Sequence, residues 1–293
     1  MSGQVNQGAG PGLSSSVARP AGQGVAGGPS REPLYRGPLW GALIAYGNFL
    51  FRYRNAVFPA VMAALFIGFR PVFAGGTMES DGWLELLGVA IVLGGQAVRA
   101  AVIGLSYIKR GGLNKKVYAE HLVTDGLFAH CRNPLYVGNL LMVAGYFVIH
   151  NSLWVYLLGS AFFLVSYRAI VAAEEQFLHG KFGQAYVAYC RDVPRWWIAP
   201  GGLGATFAQM TFNWRRVVLK DYSTAMAWLI TVLGLNAYEV VVVESFEQGA
   251  GTLAAIAVLA LAVVLGALAI RALKKAKWLT DKAAGESAGN GGQ

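Results

Sequence analysis

Six stretches of this sequence, near residues 56–73, 83–105, 135–150, 153–172, 223–243 and 252–271, are long and apolar enough to cross a lipid bilayer. A hydrocarbon core about 30 Å thick takes roughly 20 helical residues, or about 17 at the short end. Within it each backbone amide needs a partner, which a helix supplies from its own segment. The spans therefore predict an all-α fold, a polytopic membrane helical bundle with about six transmembrane helices. Composition agrees: 55% of the residues are hydrophobic and only 13% charged, against about a quarter charged in soluble domains. A shorter apolar stretch, 39–51, is interrupted by Gly and Asn and reads as an interfacial helix, with Arg52 and Arg54 marking the membrane surface.

The distribution of charge predicts orientation. The outer loops, 74–82, 151–152 and 244–251, carry Glu79, Asp81, Glu244 and Glu247 and no Lys or Arg. The opposite side holds Lys109, Arg110, Lys115, Lys116, Arg132, Lys181, Arg191, Arg195, Arg215, Arg216, Lys220, Arg271, Lys274, Lys275 and Lys277. The positive-inside rule then makes this a multi-pass integral protein of the cell membrane with both termini in the cytosol. The same rule accounts for the net charge of +9, so no nucleic-acid partner is expected. The turn His150-Asn151-Ser152 joins the third and fourth spans so tightly that they are expected to pack as an antiparallel pair.

Residues 1–35, rich in Gly, Ser, Pro and Gln, and 281–293 read as disordered tails, with too little apolar surface to offset the entropy of ordering. There is no signal-peptide pattern. Between the tails, 36–84 holds the interfacial helix and first span, 85–200 a core, and 201–280 a cytosolic loop and a C-terminal transmembrane hairpin. Cys131 and Cys190 form no disulfide framework and are expected to be reduced. His121 and His130 lack partners at metal-ligand spacing, so no metal is assigned.

Two polar segments, 106–134 and 174–222, fall on the cytoplasmic side, where any chemistry is expected. In the first, Thr124-Asp125-Gly126 is turn chemistry, Asn133 suits a helix N-cap, Pro134 suits the first helical position, and Arg132 suits a headgroup anchor. Those structural roles alone account for much of it. In the second, Glu174-Glu175 and the stripe Phe182, Tyr186, Tyr189 describe either an interfacial helix or a site. Acids at the end of a span need a partner or a purpose. Adjacent glutamates point about 100° apart on a helix, so each has its own role, while Arg168 and Glu175 lie on one face and can bracket a ligand. Arg99, near the cytoplasmic end of the second span, is either functional or snorkels to the surface.

In this order, Leu122-Val123-Thr124, Gly126, Phe128, Arg132-Asn133-Pro134-Leu135-Tyr136-Val137-Gly138, Glu174-Glu175, Leu178, Phe182-Gly183, Tyr186, Tyr189 and Val193-Pro194-Arg195 resemble the isoprenylcysteine carboxyl methyltransferase and phospholipid methyltransferase superfamily. The resemblance covers roughly 85–200. It implies a methyltransferase core with a cytosolic pocket for S-adenosylmethionine and a lipophilic substrate, isoprenoid or phospholipid-like, entering between helices. By matching positions, His121, Leu122, Val123, Phe128, Asn133, Pro134, Tyr136 and Glu174 would line the cofactor, and Arg132 would hold its carboxylate. Glu174 and the faces of Phe128 and Tyr136 suit its positive charges, and the start of the third helix suits its carboxylate. Arg168 and Glu175 are the candidate catalytic residues. A carboxylate acceptor needs no base, whereas an ammonium acceptor must lose a proton, which Glu175 or a tyrosine can take.

This chain departs from its relatives at three points. It has Arg132-Asn133-Pro134 where many have Arg-His-Pro, and Ile170 where the isoprenylcysteine enzymes have a substrate-binding arginine. Gly94-Gly95-Gln96 stands where the phospholipid enzymes have Gly-x-Gly. The acceptor is therefore left open. Two other readings of a polytopic chain, a sterol-reductase-like enzyme using a nicotinamide cofactor and a transporter, differ from this one in cofactor binding.

Overall fold

The computed structural model describes residues 29–30, 32–72, 78–105, 119, 121–243, 249–276 and 278. The basic residues 109–116 and Lys277, the acids Glu244 and Glu247, and most of both tails lie outside these. Among the described residues eight α-helices run in order: α1 (Pro38–Gly68), α2 (Met78–Leu105), α3 (Pro134–His150), α4 (Ser160–Phe182), α5 (Gln184–Asp192), α6 (Leu203–Gln209), α7 (Trp214–Val243) and α8 (Ala250–Lys275). No strand occurs among the described residues. Five helices are long and apolar enough to cross a membrane, and α3, of 17 residues, is a shorter sixth. The chain is a multi-pass membrane protein.

One expectation fails at the first helix. The interfacial segment 39–51 and the span 56–73 are a single helix of 31 residues, α1. Arg52, Arg54 and Asn55 do not end it, because their backbone bonds stay helical while Arg54 turns inward to a partner on α3. Pro59 lies within α1, a position that membrane helices tolerate because neighbouring groups satisfy the freed carbonyl. Other helices outrun their apolar cores: α4 carries Glu174 and Glu175 on unbroken helix, and α7 begins at Trp214.

Packing is by pairs. α2 lies along α3, α1 along α4 and α7 along α8. The α2–α3 seam is made by glycines that let backbones touch, as small residues do in membranes. A Cβ on Gly95 would sit 2.5 Å from the Gly138 carbonyl oxygen, and one on Gly138 2.8 Å from that of Gly95. Gly88 and Gly145 repeat this about two turns away, at 2.8 and 2.6 Å. Gly95 is thus a packing residue, whereas Gly94 has nothing within 4 Å. On α1, Gly47 meets the backbone of Ala169 on α4 in the same way.

The tight turn is present, with Asn151 left-handed at φ 46°, a conformation that asparagine tolerates. Even so, α3 and α4 do not pack as a tight pair: α3 is drawn to α2, and α4 to α1. Past the turn, Val155–Gly159 forms a π-helical turn that leads into α4. The two helices diverge from the turn and leave space between them.

The C-terminal hairpin is fastened through α7. Arg99 of α2 and Asp221 of α7 form a buried ion pair. Arg99 Nε donates to Asp221 Oδ2 at 3.3 Å, Gln96 Nε2 to the same oxygen at 2.9 Å, and Arg99 Nη1 to Asn139 Oδ1 at 2.5 Å. Arg99 therefore does not snorkel but fastens α2 to α3 and α7. α8 packs on α7, and none of its apolar window is buried within the protein.

Candidate active site

The acids at the end of α4 point to different partners, as their 100° offset requires. Glu174 Oε1 accepts a hydrogen bond from Tyr136 Oη at 2.6 Å, and Arg54 Nη1 donates to the same Tyr136 oxygen at 3.2 Å. Glu175 is only 2% exposed and is surrounded by donors. Arg195 reaches it with Nε at 2.9 Å and Nη2 at 2.8 Å, Arg132 with Nη1 at 3.1 Å, and Tyr35 with its hydroxyl. Two guanidiniums compensate the buried carboxylate, and the paired contacts from Arg195 are the strong, geometrically specific kind. A carboxylate so engaged holds its neighbours in place.

Tyr35 belongs to a segment that the composition assigns to the N-terminal tail. Its end is instead bonded to α4: Ser30 N donates to Gly180 O at 3.1 Å, and Leu34 N and Tyr35 N donate to Gln176 Oε1 at 3.0 and 3.3 Å. Burial, and then Glu175, push the Tyr35 hydroxyl up to about 12. Its ring stacks on Trp40 with centroids 4.2 Å apart, and the Arg168 guanidinium lies 4.7 Å from the Trp40 ring and 5.8 Å from that of Tyr35.

The other wall is the segment 121–136. His121 is exposed, and Leu122 and Val123 are half-buried, leading to the 3-10 turn Gly126–Ala129. Phe128 accepts a hydrogen bond at its carbonyl from Tyr189 Oη, at 2.7 Å. Pro134 opens α3 as expected, but Asn133 makes no side-chain cap. Its Nδ2 donates instead to Arg195 O at 3.1 Å, which ties the start of α3 to the segment after α5. Arg132 N to Pro194 O, at 2.8 Å, and Ala199 N to His130 O, at 2.9 Å, strengthen that tie. His130 Nδ1 faces the Ala199 carbonyl at 3.0 Å and therefore donates, which leaves Nε2 to accept from Thr206 at 2.8 Å.

The aromatic stripe does not rest on lipid. Gly183, at φ 52°, breaks the chain between α4 and α5 and turns Tyr186 inward until it is 2% exposed. Burial raises both tyrosine hydroxyls of α5, Tyr186 and Tyr189, well above their ordinary range. It raises the thiols of Cys131 and Cys190 as well, and Cys190 Sγ lies 2.7 Å from Arg132 Nη1.

Beside the cluster, in the space between α3 and α4, lies an apolar cavity of 730 Å³. Leu43 of α1, a row from Val137 to Phe147 on α3, Ser160 to Arg168 on α4, and Trp196 line it. Leu141, Leu164 and Val165, on its rim, are exposed.

Neither Arg54 nor Tyr35 was identifiable as a site residue from sequence. Their partners are 82 and 140 positions away, and neither lies in a motif. Arg195 stood out only as part of the string Val193-Pro194-Arg195.

The helical bundle thus carries a compensated polar cluster at one end with an apolar cavity beside it. The family described as phospholipid methyltransferase matches residues 84–185, so the central segment of this chain is similar to that family of membrane methyltransferases. Two curated relatives are similar beyond it. The cobalt-zinc-cadmium resistance protein CzcN of Cupriavidus metallidurans is 29% identical over 74% of this chain and 93% of its own length. The nickel-cobalt-cadmium resistance protein NccN of Alcaligenes xylosoxydans xylosoxydans is 24% identical over 50% of this chain and 65% of its own length. No solved structure matches.

Proposed function

We propose that this chain transfers a methyl group from S-adenosylmethionine to a lipophilic acceptor, isoprenoid or phospholipid-like, at the cytoplasmic face of the membrane, with both termini on that side. One observation carries the reading. Arg132, Asn133, Pro134, Tyr136 and Glu174 meet at one end of the bundle, next to an apolar cavity, and the segment from His121 through Phe128 leads into this end and is fastened to α5 at the Phe128 carbonyl.

The residues present suit the cofactor. Arg132 Nε is buried with no hydrogen-bond partner, so a donor stands ready for a carboxylate. Glu174, half-buried and bonded to Tyr136, offers negative charge for a sulfonium or an ammonium. When bound, the cofactor supplies a methyl group already activated for in-line displacement. The protein then needs to align the acceptor and exclude water. Arg168 stands at the cavity and orients the acceptor, and Glu175 fixes Arg132, Arg195 and Tyr35 in place.

The names of the relatives speak of cobalt, zinc, cadmium and nickel resistance. Among the described residues no three His, Cys, Asp or Glu side chains converge on a metal-binding geometry, so the metal-linked names add no ligand set to this proposal.

Calorimetric titration of the detergent-purified chain with S-adenosylmethionine, S-adenosylhomocysteine and NADPH is the test. The expected result is micromolar binding of the first two, lost in Glu174→Gln and Arg132→Ala variants that remain folded. Binding of NADPH alone would replace this reading with the reductase.

A further inference from the structure

We infer that Tyr35 is a positioning residue for the cofactor site, and that the segment carrying it, 32–36, is a strap that turns on Gly37 and closes as that site fills. The inference rests on the proposed function, because it names what the filled site does to the chain around it.

Tyr35 closes a ring of three groups. Its hydroxyl donates to Glu175 Oε2 and accepts from Arg195 Nη2 at 2.9 Å, and the same Nη2 reaches Glu175 Oε2 at 2.8 Å. The other oxygen, Glu175 Oε1, takes Arg195 Nε at 2.9 Å and Arg132 Nη1 at 3.1 Å. Tyr35 and Arg132 therefore hold opposite oxygens of one carboxylate. Held at both, the carboxylate cannot turn about its own side chain, and the Arg132 guanidinium is aimed. Its Nε, buried without a partner, is the donor that the proposed function offers to the cofactor. Without the Tyr35 hydroxyl, Oε2 keeps only Arg195 of these donors, the carboxylate is free to swing, and Arg132 loosens. Bonds to ionised groups are the stronger kind, so the loss of this one is felt.

The hold on the strap is light and almost wholly polar. Ser30 N bonds Gly180 O, Leu34 N and Tyr35 N share the single Oε1 of Gln176, and the Tyr35 ring lies on Trp40 beside Arg168. Glu32, Pro33 and Arg36 are exposed. A segment with so few buried apolar contacts opens locally at low cost. Its hinge is Gly37, at φ 104° and ψ 158°, a region essentially confined to glycine. A Cβ there would meet nothing within 4 Å, and Pro38 opens α1 immediately afterwards. A segment that served only to anchor the bundle would bury apolar side chains. This one instead directs its bonds to one side of α4 and to the carboxylate that aims Arg132.

Linkage supplies the test, since closure and binding strengthen each other by the same factor. Arg36 is exposed, paired only with Glu32 at the surface, and trypsin can cut after it when the strap is open. The full chain in detergent is digested at low protease, where cleavage follows the open population, with and without saturating S-adenosylhomocysteine. Calorimetry gives the affinity for the same ligand. The expected result is that the ligand slows cleavage after Arg36 about fivefold or more, while cleavage after Lys275, on α8, is unchanged. The double variant Tyr35→Phe, Gln176→Ala keeps the ring on Trp40 but lacks the side-chain bonds between strap and α4. It should lose affinity by about the factor by which the ligand protects the unmodified chain, and Tyr35→Phe alone should fall between. Binding without protection at Arg36, or with equal affinity in the double variant, overturns the inference and leaves the proposed function standing. No binding by the unmodified chain overturns both.

Discussion

Replacing Asp221 with Ala leaves Arg99, 5% exposed, as an uncompensated charge among α2, α3 and α7. Two magnitudes compete for the outcome. Polar contacts between membrane helices average only ~0.6 kcal/mol, because the unfolded chain in the membrane also finds partners. Stripping one partner from a buried ion pair costs about 3–5 kcal/mol, because the remaining charge stays desolvated. Here the second governs. Asp221 is 1% exposed and takes hydrogen bonds from both Arg99 and Gln96, and what is left to Arg99 is the neutral oxygens of Asn139 and Thr224. Asp221→Ala should therefore cost about 3–5 kcal/mol in reversible unfolding by SDS in mixed micelles. Arg99→Met combined with Asp221→Leu should recover most of that loss, since it leaves neither charge behind. A single variant costing less than about 1 kcal/mol, on the scale of an average membrane contact, would refute the reasoning. So would a double variant no better than the sum of its singles.

Three shorter predictions concern the packing and the ionisable groups. Gly95→Ala should destabilise the chain by about 1–3 kcal/mol through its clash with the Gly138 carbonyl, while the neighbouring Gly94→Ala, in open space, should be neutral or slightly stabilising; equal effects in thermal unfolding would count against the glycine seam. Folding raises the Tyr35 hydroxyl to about 12, above its unfolded value near ~10, so its contribution is complete below about pH 10 and is lost as pH rises through about 12. Proteolysis near residue 35 should accelerate across that window in the native chain and show no such step in Tyr35→Phe. Burial raises the thiols of Cys131 and Cys190, so both should alkylate more slowly with maleimide at pH 7.5 than a free thiol, a difference that denaturation removes.

The spans were legible because hydropathy is a property of each segment alone, and α3 lies within a residue of its expected start. Relations between segments were less so. Apolar periodicity cannot show that Arg54 turns inward to Tyr136; from sequence an arginine within an apolar stretch reads as the membrane surface, and one helix reads as two. The Gly-Asn interruption near residue 47 reinforced that division, although Gly47 is small in order to admit the backbone of Ala169. Likewise the turn at Asn151 indicated that α3 and α4 are neighbours but not which other helices compete for them. At the site, the matched residues of α3 and α4 were legible through resemblance. The groups that complete the cluster, Arg54 and Tyr35, come from ahead of residue 84, where the family match begins.

The glycine seam also determines which parts of the bundle can give way. Where two backbones touch, as at Gly88 with Gly145 and Gly95 with Gly138, no side chain remains to change rotamer, and even a small separation forfeits close contact along the whole line. α2 and α3 thus behave as a single rigid plate. The opposite wall of the cavity is α4, which packs on α1. Of the two walls of the cavity, the α2–α3 side therefore has less freedom to yield than the α4 side. At the polar end Tyr136 of α3, and Arg132 just ahead of it, are bonded to Glu174 and Glu175 of α4, so the two walls are tied together there and any yielding falls to the apolar length beyond.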